Sequence, residues 1–300
     1  MKNTILVSVS GGRTSAFMAH LLIEKHRNDE STEIICVFAN TGQEHPKTIE
    51  FLKKCDEHFG MNLVCLEAVT DPQNGKGQQA RVVPIDQLSM NGEPFEAVIR
   101  KHGIPNVENP NCSRDMKERP IRAYMRSLGY KKGSYKVAIG FRADEPKRLN
   151  WKKAKEEHLI YPLADTWQVT RYDVNKFWSM QPFDLEIKSY EGNCKTCWKK
   201  SRRKLLTIAI ENPDWFDFFQ QMELEYENYI PKTRQHNPDI IPPFRFFRGN
   251  TSVADIFEEA ALPFDPALDE SKEMNRDKMM MLWNEELDTN DGCTESCEPF

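Results

Sequence analysis

The stretch Ile5–Ser15, ILVSVSGGRTS, limits what this 300-residue chain can fold into more than any other part of it. Ile5, Leu6, Val7 and Val9 form an apolar run with β-branched members, the pattern of a strand buried on both faces of a parallel sheet. The run breaks at Ser10-Gly11-Gly12, and Thr14-Ser15 open a helical pattern that continues through Ala16, Phe17, Ala19, Leu21 and Leu22. A strand, a glycine-rich turn and a helix N-terminus aim several backbone N–H groups and the positive end of a helix dipole at one point. That point suits a phosphate or pyrophosphate. Gly11 and Gly12 let the backbone approach an anion closely. Ser8, Ser10, Thr14 and Ser15 add hydroxyl donors, and Arg13 adds a cation. The loop matches neither GxxxxGK[ST] nor GxGxxG. Taken alone, it also reads as a plain glycine turn between strand and helix.

Further along, Glu33–Asn40 reads as a second buried strand, ending in Asn40-Thr41-Gly42. Pro46–Phe59 reads as an amphipathic helix and Asn62–Ala68 as a third strand. Three β units with two crossover helices open a doubly wound, mostly parallel α/β sheet. Ligands of such sheets sit at the carboxyl ends of the strands, which puts Ser10–Ser15 and Asn40–Glu44 on one rim. Residues 70–110, rich in Gly, Pro, Asn and Gln, read as a long connection with a short helix at Pro94–Lys101. Asp115–Leu128 is expected to be helical, kinked or restarted at Pro120. Tyr135–Gly140 is another strand, leading to Phe141-Arg142-Ala143-Asp144-Glu145 and Arg148. Leu159–Leu163 is expected to be extended and Thr170–Trp178 helical. Asn193–Cys197 forms a knuckle before a basic helix through Ile210. From Asn212 the chain turns aromatic, acidic and proline-rich, with helices expected at Val253–Glu259 and Ser271–Leu287. Asp288–Phe300 is a polar tail with Cys293 and Cys297. The expected organisation is a nucleotide-binding α/β domain over residues 1–210. A mainly helical or irregular extension with a cysteine-containing tail follows over 211–300.

With 39% hydrophobic residues the chain can bury a core, and its apolar runs fall short of the roughly 18–20 residues of a membrane span. Met1-Lys2-Asn3-Thr4 leads straight into the first strand, so no signal peptide and a cytoplasmic location are expected. A net charge of −5 does not advertise nucleic-acid binding. The local run Lys195, Lys199, Lys200, Arg202, Arg203 and Lys204 reads either as a solvated helix face or as an approach to DNA or tRNA. Eight cysteines point to metal, cluster or redox use rather than a disulfide framework. Cys36, Cys55 and Cys65 read as small buried apolar residues. Cys112, Cys194 and Cys197 sit in polar turns, and Cys194-x-x-Cys197 has chelate spacing for Zn²⁺ or an iron–sulfur cluster. Redox thiols are a third possibility. Asn40 and Thr41 at a strand end could hold ribose or adenine edges. Glu44 could hold Mg²⁺ beside ATP phosphates, or be a solvated acid. Arg142, directly after a buried strand, is a candidate anion-binding residue, with Asp144, Glu145 and Arg148 to orient it. Lys117 and Arg119 either add positive charge near the site or lie on a helix surface.

Several blocks together resemble the PAPS reductase-like branch of the PP-loop, or adenine nucleotide alpha hydrolase, superfamily. The spacing Ser8-x-Ser10-Gly11-Gly12-x-x-Ser15 resembles its phosphate loop, and NTGQEHPKT (Asn40–Thr48) its strand-2 block. GFRADEPKR (Gly140–Arg148) and YPLADTWQVTRYDVNKFW (Tyr161–Trp178) resemble two further blocks. NCSRDMKERPI (Asn111–Ile121) and GNCKTCWKKS (Gly192–Ser201) are similar to the cysteine blocks of phage-type and DNA-phosphorothioation relatives. The likeness covers roughly residues 4–205. It implies nucleotide contacts at Ser8, Ser10–Ser15, Asn40–Gly42 and Arg148, and catalytic roles for Arg142 and Cys112. It also implies ATP with Mg²⁺, and a [4Fe–4S] cluster on Cys112, Cys194 and Cys197. Cys293 or Cys297 would be the fourth ligand, or that position would stay open to carry sulfide. Zn²⁺ on Cys194, Cys197, Cys293 and Cys297 is the rival. The Glu-Cys-Gly-Leu-His motif of true PAPS reductases is absent, and the full Gly-Gly-x-x-Ser loop is the form used with ATP. The resemblance therefore implies ATP-dependent adenylation, giving AMP and pyrophosphate, coupled to sulfur transfer onto a nucleic acid, with a sulfur-donor protein as a further partner. Sulfonucleotide reduction and a non-catalytic nucleotide-binding subunit with a zinc knuckle are the alternatives.

Overall fold

The computed structural model describes residues 2–275, apart from 233, 236 and 238. Cys293, Cys297 and residues 276–287 of the expected last helix lie outside the described residues. Strand β1 (Asn3–Ser8) is central, parallel to β2 (Thr32–Asn40) on one side and to β5 (Lys136–Ala138) on the other. Beyond β2 comes β3 (Val64–Val69), and beyond β5 comes β6 (Leu159–Ile160), both parallel. The far edge is β4 (Gln79–Val82), antiparallel to β3, so the order is β4-β3-β2-β1-β5-β6. Strands added after β1 grow first to one side and later to the other. The crevice at the carboxyl ends of β1 and β5 is therefore the topological switch point, where open α/β sheets bind ligands.

Alternation along the strands divides the core. Val7 and Phe38 face a cluster built with Met18 and Leu22 of α1 (Arg13–His26), Phe51 and Leu52 of α2 (Pro46–Phe59), and Trp178 of α7 (Arg171–Ser179). Leu6, Val37 and Val137 face the opposite way. They meet Ile121 and Met125 of α4 (Arg119–Ser127) and Ala154 of α5 (Trp151–Glu157). Burial on both faces is why these strands read as continuous apolar runs. A third cluster joins Phe95 and Val98 of α3 (Glu93–His102) to Leu205 and Ile208 of α8 (Arg202–Glu211). It continues through Phe219 and Met222 of α9 (Asp217–Tyr226) and Ile256 of α10 (Val253–Ala260). Through it the residues after 211 pack directly on the cysteine knuckle and α3.

Three local expectations differ from the structure. Residues 79–82 form an edge strand where a connection was expected; its side chains are mostly exposed, so no apolar run announces it. Asp115–Leu128, by contrast, is helical and restarts at Pro120 as expected: a π-helical segment, Ser113–Glu118, runs into α4, and Pro120 sits in the first turn of α4. Only Leu159–Ile160 of the expected extended stretch is strand, because Pro162 starts the one-turn α6 (Pro162–Asp165). Residues 271–275 are not helical.

His45 caps α2: its Nδ1 accepts from the Lys47 backbone N–H at 3.0 Å, which requires the neutral ring. Burial, then the charges of Lys195, Lys47 and Lys200, pull its pKa from 6.5 to about 4. Between these values the unfolded chain binds a proton that the folded chain refuses, so stability falls as pH drops from 6.5 towards 4. For a half-buried ring screened by water the loss should be about 1 kcal/mol. Urea midpoints of the wild type and His45→Asn at pH 7 and pH 5 should show this loss only in the wild type. Equal shifts in both would assign the pH dependence elsewhere.

Candidate functional site

The turn after β1 is shaped from within. Gly11 has φ +88°, and a Cβ there would lie 2.5 Å from Thr48 Cγ2. Ser15 Oγ accepts from the Ser10 N–H at 3.0 Å, lies 3.0 Å from Ser10 Oγ, and donates to the Gly12 carbonyl at 3.0 Å. Ser15 is thus a staple that fixes the loop rather than part of its exposed rim. Gly12 is the N-cap of α1 and supplies no side-chain cap, so the first-turn amides are left for another acceptor. Two distant elements brace the turn. Trp178 of α7 donates its indole N–H to the Arg13 carbonyl at 3.0 Å. A Cβ on Gly140, after β5, would come within 3.2 Å of Ser15 Cα, so the two strand ends close on each other.

An open cleft lies over this turn. Ser10, Gly11, Gly12, Arg13 and Thr14 form its floor, Arg142, Arg171 and Lys117 bring positive charge to its walls, and Lys188, paired with Glu211, also lines it. Arg142 is 2% exposed. Its Nε donates to Asp144 at 2.9 Å and its Nη1 to Thr14 Oγ1 at 3.5 Å, while its backbone N–H donates to Glu145 at 2.9 Å. Burial pushes the Glu145 carboxyl up, but Arg142 and Arg148 outweigh it and hold the acid below its ordinary value. Arg148 pairs with Glu145 at 2.6 Å and stacks over Phe141, so it braces Arg142 instead of lining the cleft. Burial lowers the pKa of Arg13, with Asp184 and Asp269 opposing.

The Asn40–Glu44 turn is organised differently from the expectation. Asn40 donates to Glu67 (2.9 Å) and to the Ser89 carbonyl (2.8 Å) and accepts from the Gly42 N–H (3.1 Å). Glu44 reaches the cleft wall, yet its carboxylate collects the N–H groups of Thr41, Gly42 and Gln43 and the Thr41 hydroxyl. Those donors assign Glu44 to holding its own turn. Onto this turn the cysteine knuckle is stitched: Glu44 and Cys194 form a β-bridge, Lys195 N–H donates to the Gln43 carbonyl at 2.8 Å, and Thr41 Oγ1 lies 3.3 Å from Cys194 Sγ.

Cys112, Cys194 and Cys197 face one small chamber, with Thr41, Met116 and Phe219 in its walls. The three thiols expected together from two loops are therefore brought together. Lys117, on the π-helical segment, lines both this chamber and the cationic cleft. Among the described residues no three His, Cys, Asp or Glu side chains converge to hold a single metal ion. Cys36 and Cys65 lie in strands, where burial pushes each thiol up to about 12, and Cys55 is raised in the same way. They are inert apolar residues, as their sequence context suggests.

Of the expected nucleotide contacts, the structure places Ser10–Thr14 in the cleft, together with Arg142, for which a catalytic role was expected. Ser8, Ser15, Asn40, Thr41, Gly42 and Arg148 do not line it. The run Lys199–Lys204 is largely spent internally. Lys200 donates to the Tyr190 and Gly192 carbonyls, Lys199 to Ser113, and Arg202 pairs with Glu259. Arg171, Asn175 and Lys188 of the cleft were not anticipated. The only sequence sign of Arg171 and Asn175 was their place in the first turns of a helix inside the Tyr161–Trp178 block. No described helix is long and apolar enough to cross a membrane.

Comparison with known proteins matches residues 4–157 to the phosphoadenosine phosphosulfate reductase domain. A relative, the "Uncharacterized nin region protein ORF290" of Escherichia phage lambda, is 34% identical over 203 residues, covering 67% of each chain.

Proposed function

The chain belongs to the phosphoadenosine phosphosulfate reductase domain family, and from that premise we propose that it is a PP-loop enzyme that adenylates an acceptor with ATP and couples this to sulfur transfer. The observation that carries the reading is the shared wall: Lys117 joins a cationic cleft to a chamber of three thiols. An acceptor oxygen would attack the α-phosphorus, the bond to the β-phosphate would break, and pyrophosphate would leave into the loop Ser10–Thr14. Backbone N–H groups, Arg13 and Arg142 would stabilise the charge gathering on that leaving group, the usual main contribution in such transfers. A sulfur nucleophile would then displace AMP from the activated acceptor. Magnesium would be held by the ATP phosphates and water, since Glu44 is engaged by its own turn. With Lys199, Lys200 and Arg202 of the basic run engaged by other residues of the chain, the proposed acceptor is an oxygen nucleophile, with nucleic acid as one class of it.

A cluster spreads its cysteines over separate irons, which suits three thiols that line one chamber. The zinc alternative would draw on Cys293 and Cys297, which lie outside the described residues. Cys112, Cys194 and Cys197 would hold the cluster, which would supply sulfur or electron-transfer chemistry; Met116 and Phe219 would keep water away from it.

Anaerobically purified protein should carry about four irons per chain with a broad absorption band near about 400 nm, lost in Cys194→Ser. With Mg²⁺ and ATP it should release pyrophosphate and AMP. Sulfite from PAPS or APS and a dithiol, with no pyrophosphate from ATP, would instead establish sulfonucleotide reduction, the reading favoured by the family's name. A colourless, iron-free protein that still releases pyrophosphate would leave the adenylation half and remove the cluster.

A further inference from the structure

The cleft has a wall that comes from the far end of the chain. Residues 267–273 pass from beside α8 to the cleft, where Ser271 joins its wall. The Ala267 N–H donates to Thr207 Oγ1 at 2.8 Å. Ser189 donates its N–H to Asp269 at 2.9 Å and its hydroxyl to the Leu268 carbonyl at 3.3 Å, and accepts from the Glu270 N–H at 3.1 Å. Asn175 donates to the Glu273 carbonyl at 2.8 Å. At the centre, Arg13 donates to the Ser271 carbonyl and Arg171 forms an ion pair with Glu270. Glu270 and Ser271 are 7% and 6% exposed, and Ser271 itself lines the cleft.

Two of the cationic groups that face the cleft are thus engaged by this segment, one by a carboxylate. A carboxylate beside an anion site acts twice against a polyphosphate. It occupies a guanidinium that a phosphate oxygen would use, and its own charge repels the ligand in a low-dielectric crevice. We propose that residues 268–273 form an autoinhibitory strap whose Glu270 stands in for a ligand anion on Arg171 and is displaced when polyphosphate enters. The inference rests on the reading of the cleft as a polyphosphate site. The strap's other ties are hydrogen bonds to Ser189, Asn175 and Arg13, and those from Ser189 to Asp269 and from Arg13 to Ser271 each have one charged partner. The Glu270–Arg171 contact pairs two full opposite charges away from water, so its loss is the main step a ligand has to drive. The sequence Leu268-Asp269-Glu270-Ser271 is polar and lacks any motif, so only the folded chain reveals its placement.

The test is titration of the full-length chain with inorganic pyrophosphate, and with adenosine as an uncharged control, in the wild type and in Glu270→Gln. The isosteric amide keeps a hydrogen-bond acceptor for Arg171 and removes the charge, so the fold is retained. Glu270→Gln should bind pyrophosphate at least about fivefold more tightly while adenosine affinity stays unchanged. In the wild type, saturating pyrophosphate should speed amide exchange at Glu270 and Ser271. Equal pyrophosphate affinity in both proteins, or tighter binding with unchanged exchange, would overturn the strap and leave the cleft assignment standing. No pyrophosphate binding by either protein would overturn the cleft assignment, and the strap with it.

Discussion

Arg142→Met should abolish measurable pyrophosphate binding and lower stability by about 3–5 kcal/mol, the usual cost of removing one partner of a buried ion pair. Arg142 is 2% exposed and Glu145 1% exposed, so neither can turn to water when its partner is lost. Arg142 also holds Asp144, which accepts from the first N–H of α7 at 3.1 Å; the loss would reach the helix carrying Arg171. Urea denaturation and calorimetric titration separate the two effects. Arg142→Met with Glu145→Gln should recover much of the stability, because the stranded acid becomes a neutral amide, and none of the pyrophosphate binding. A loss below about 1 kcal/mol in the single variant would show that Arg148 alone satisfies Glu145. The pH dependence has a definite sign. Glu145 is held below its ordinary value of 4.5, so its stabilising contribution is complete above 4.5 and is lost as pH falls through the lowered value. The double variant should lack that acid-side loss.

Gly11→Ala should cost about 2–3 kcal/mol of stability and weaken pyrophosphate binding at least about tenfold. The φ of +88° puts an L side chain in a region it rarely adopts, and the new methyl would sit 2.5 Å from Thr48 Cγ2. Thr48 is buried in the first turn of α2 and cannot swing away. The loop must therefore shift, and the N–H groups aimed at the anion shift with it. Gly11→Ala with Thr48→Ser removes the clashing methyl but not the backbone strain, so the pair divides the cost between the two. Unchanged pyrophosphate affinity in Gly11→Ala would mean that the anion does not sit on this turn.

Much of the architecture is legible along the chain because its signals are local. The apolar runs of β1, β2, β3 and β5 follow from burial on both faces, and Thr170 with Asp173 makes a capping box at the start of α7. β4 escaped for the complementary reason: an exposed edge strand has no apolar pattern to read. α9 escaped too, because its aromatic and acidic residues look like those of the segment around it, and only packing against α3 and α10 makes it a helix.

The site divides along a similar line. By itself the sequence determined the phosphate turn: glycine, serine and threonine between an apolar strand and a helix start dictate a backbone that can cradle an anion, and bonded neighbours suffice for that. It also carried the cysteine pattern and the family likeness. Which residues face the cleft was settled only by the tertiary structure. Asn40, Ser15 and Glu44 have the right chemistry for contact, yet each spends its polar atoms on neighbouring loop or strand groups. Arg171 and the strap around Glu270 enter from elements far along the chain. Cys112 meets Cys194 and Cys197 because the knuckle pairs with the Asn40–Glu44 turn. Residue type and spacing express what a short segment can do. Which segments meet depends on how three hydrophobic clusters pack, and no local pattern encodes that.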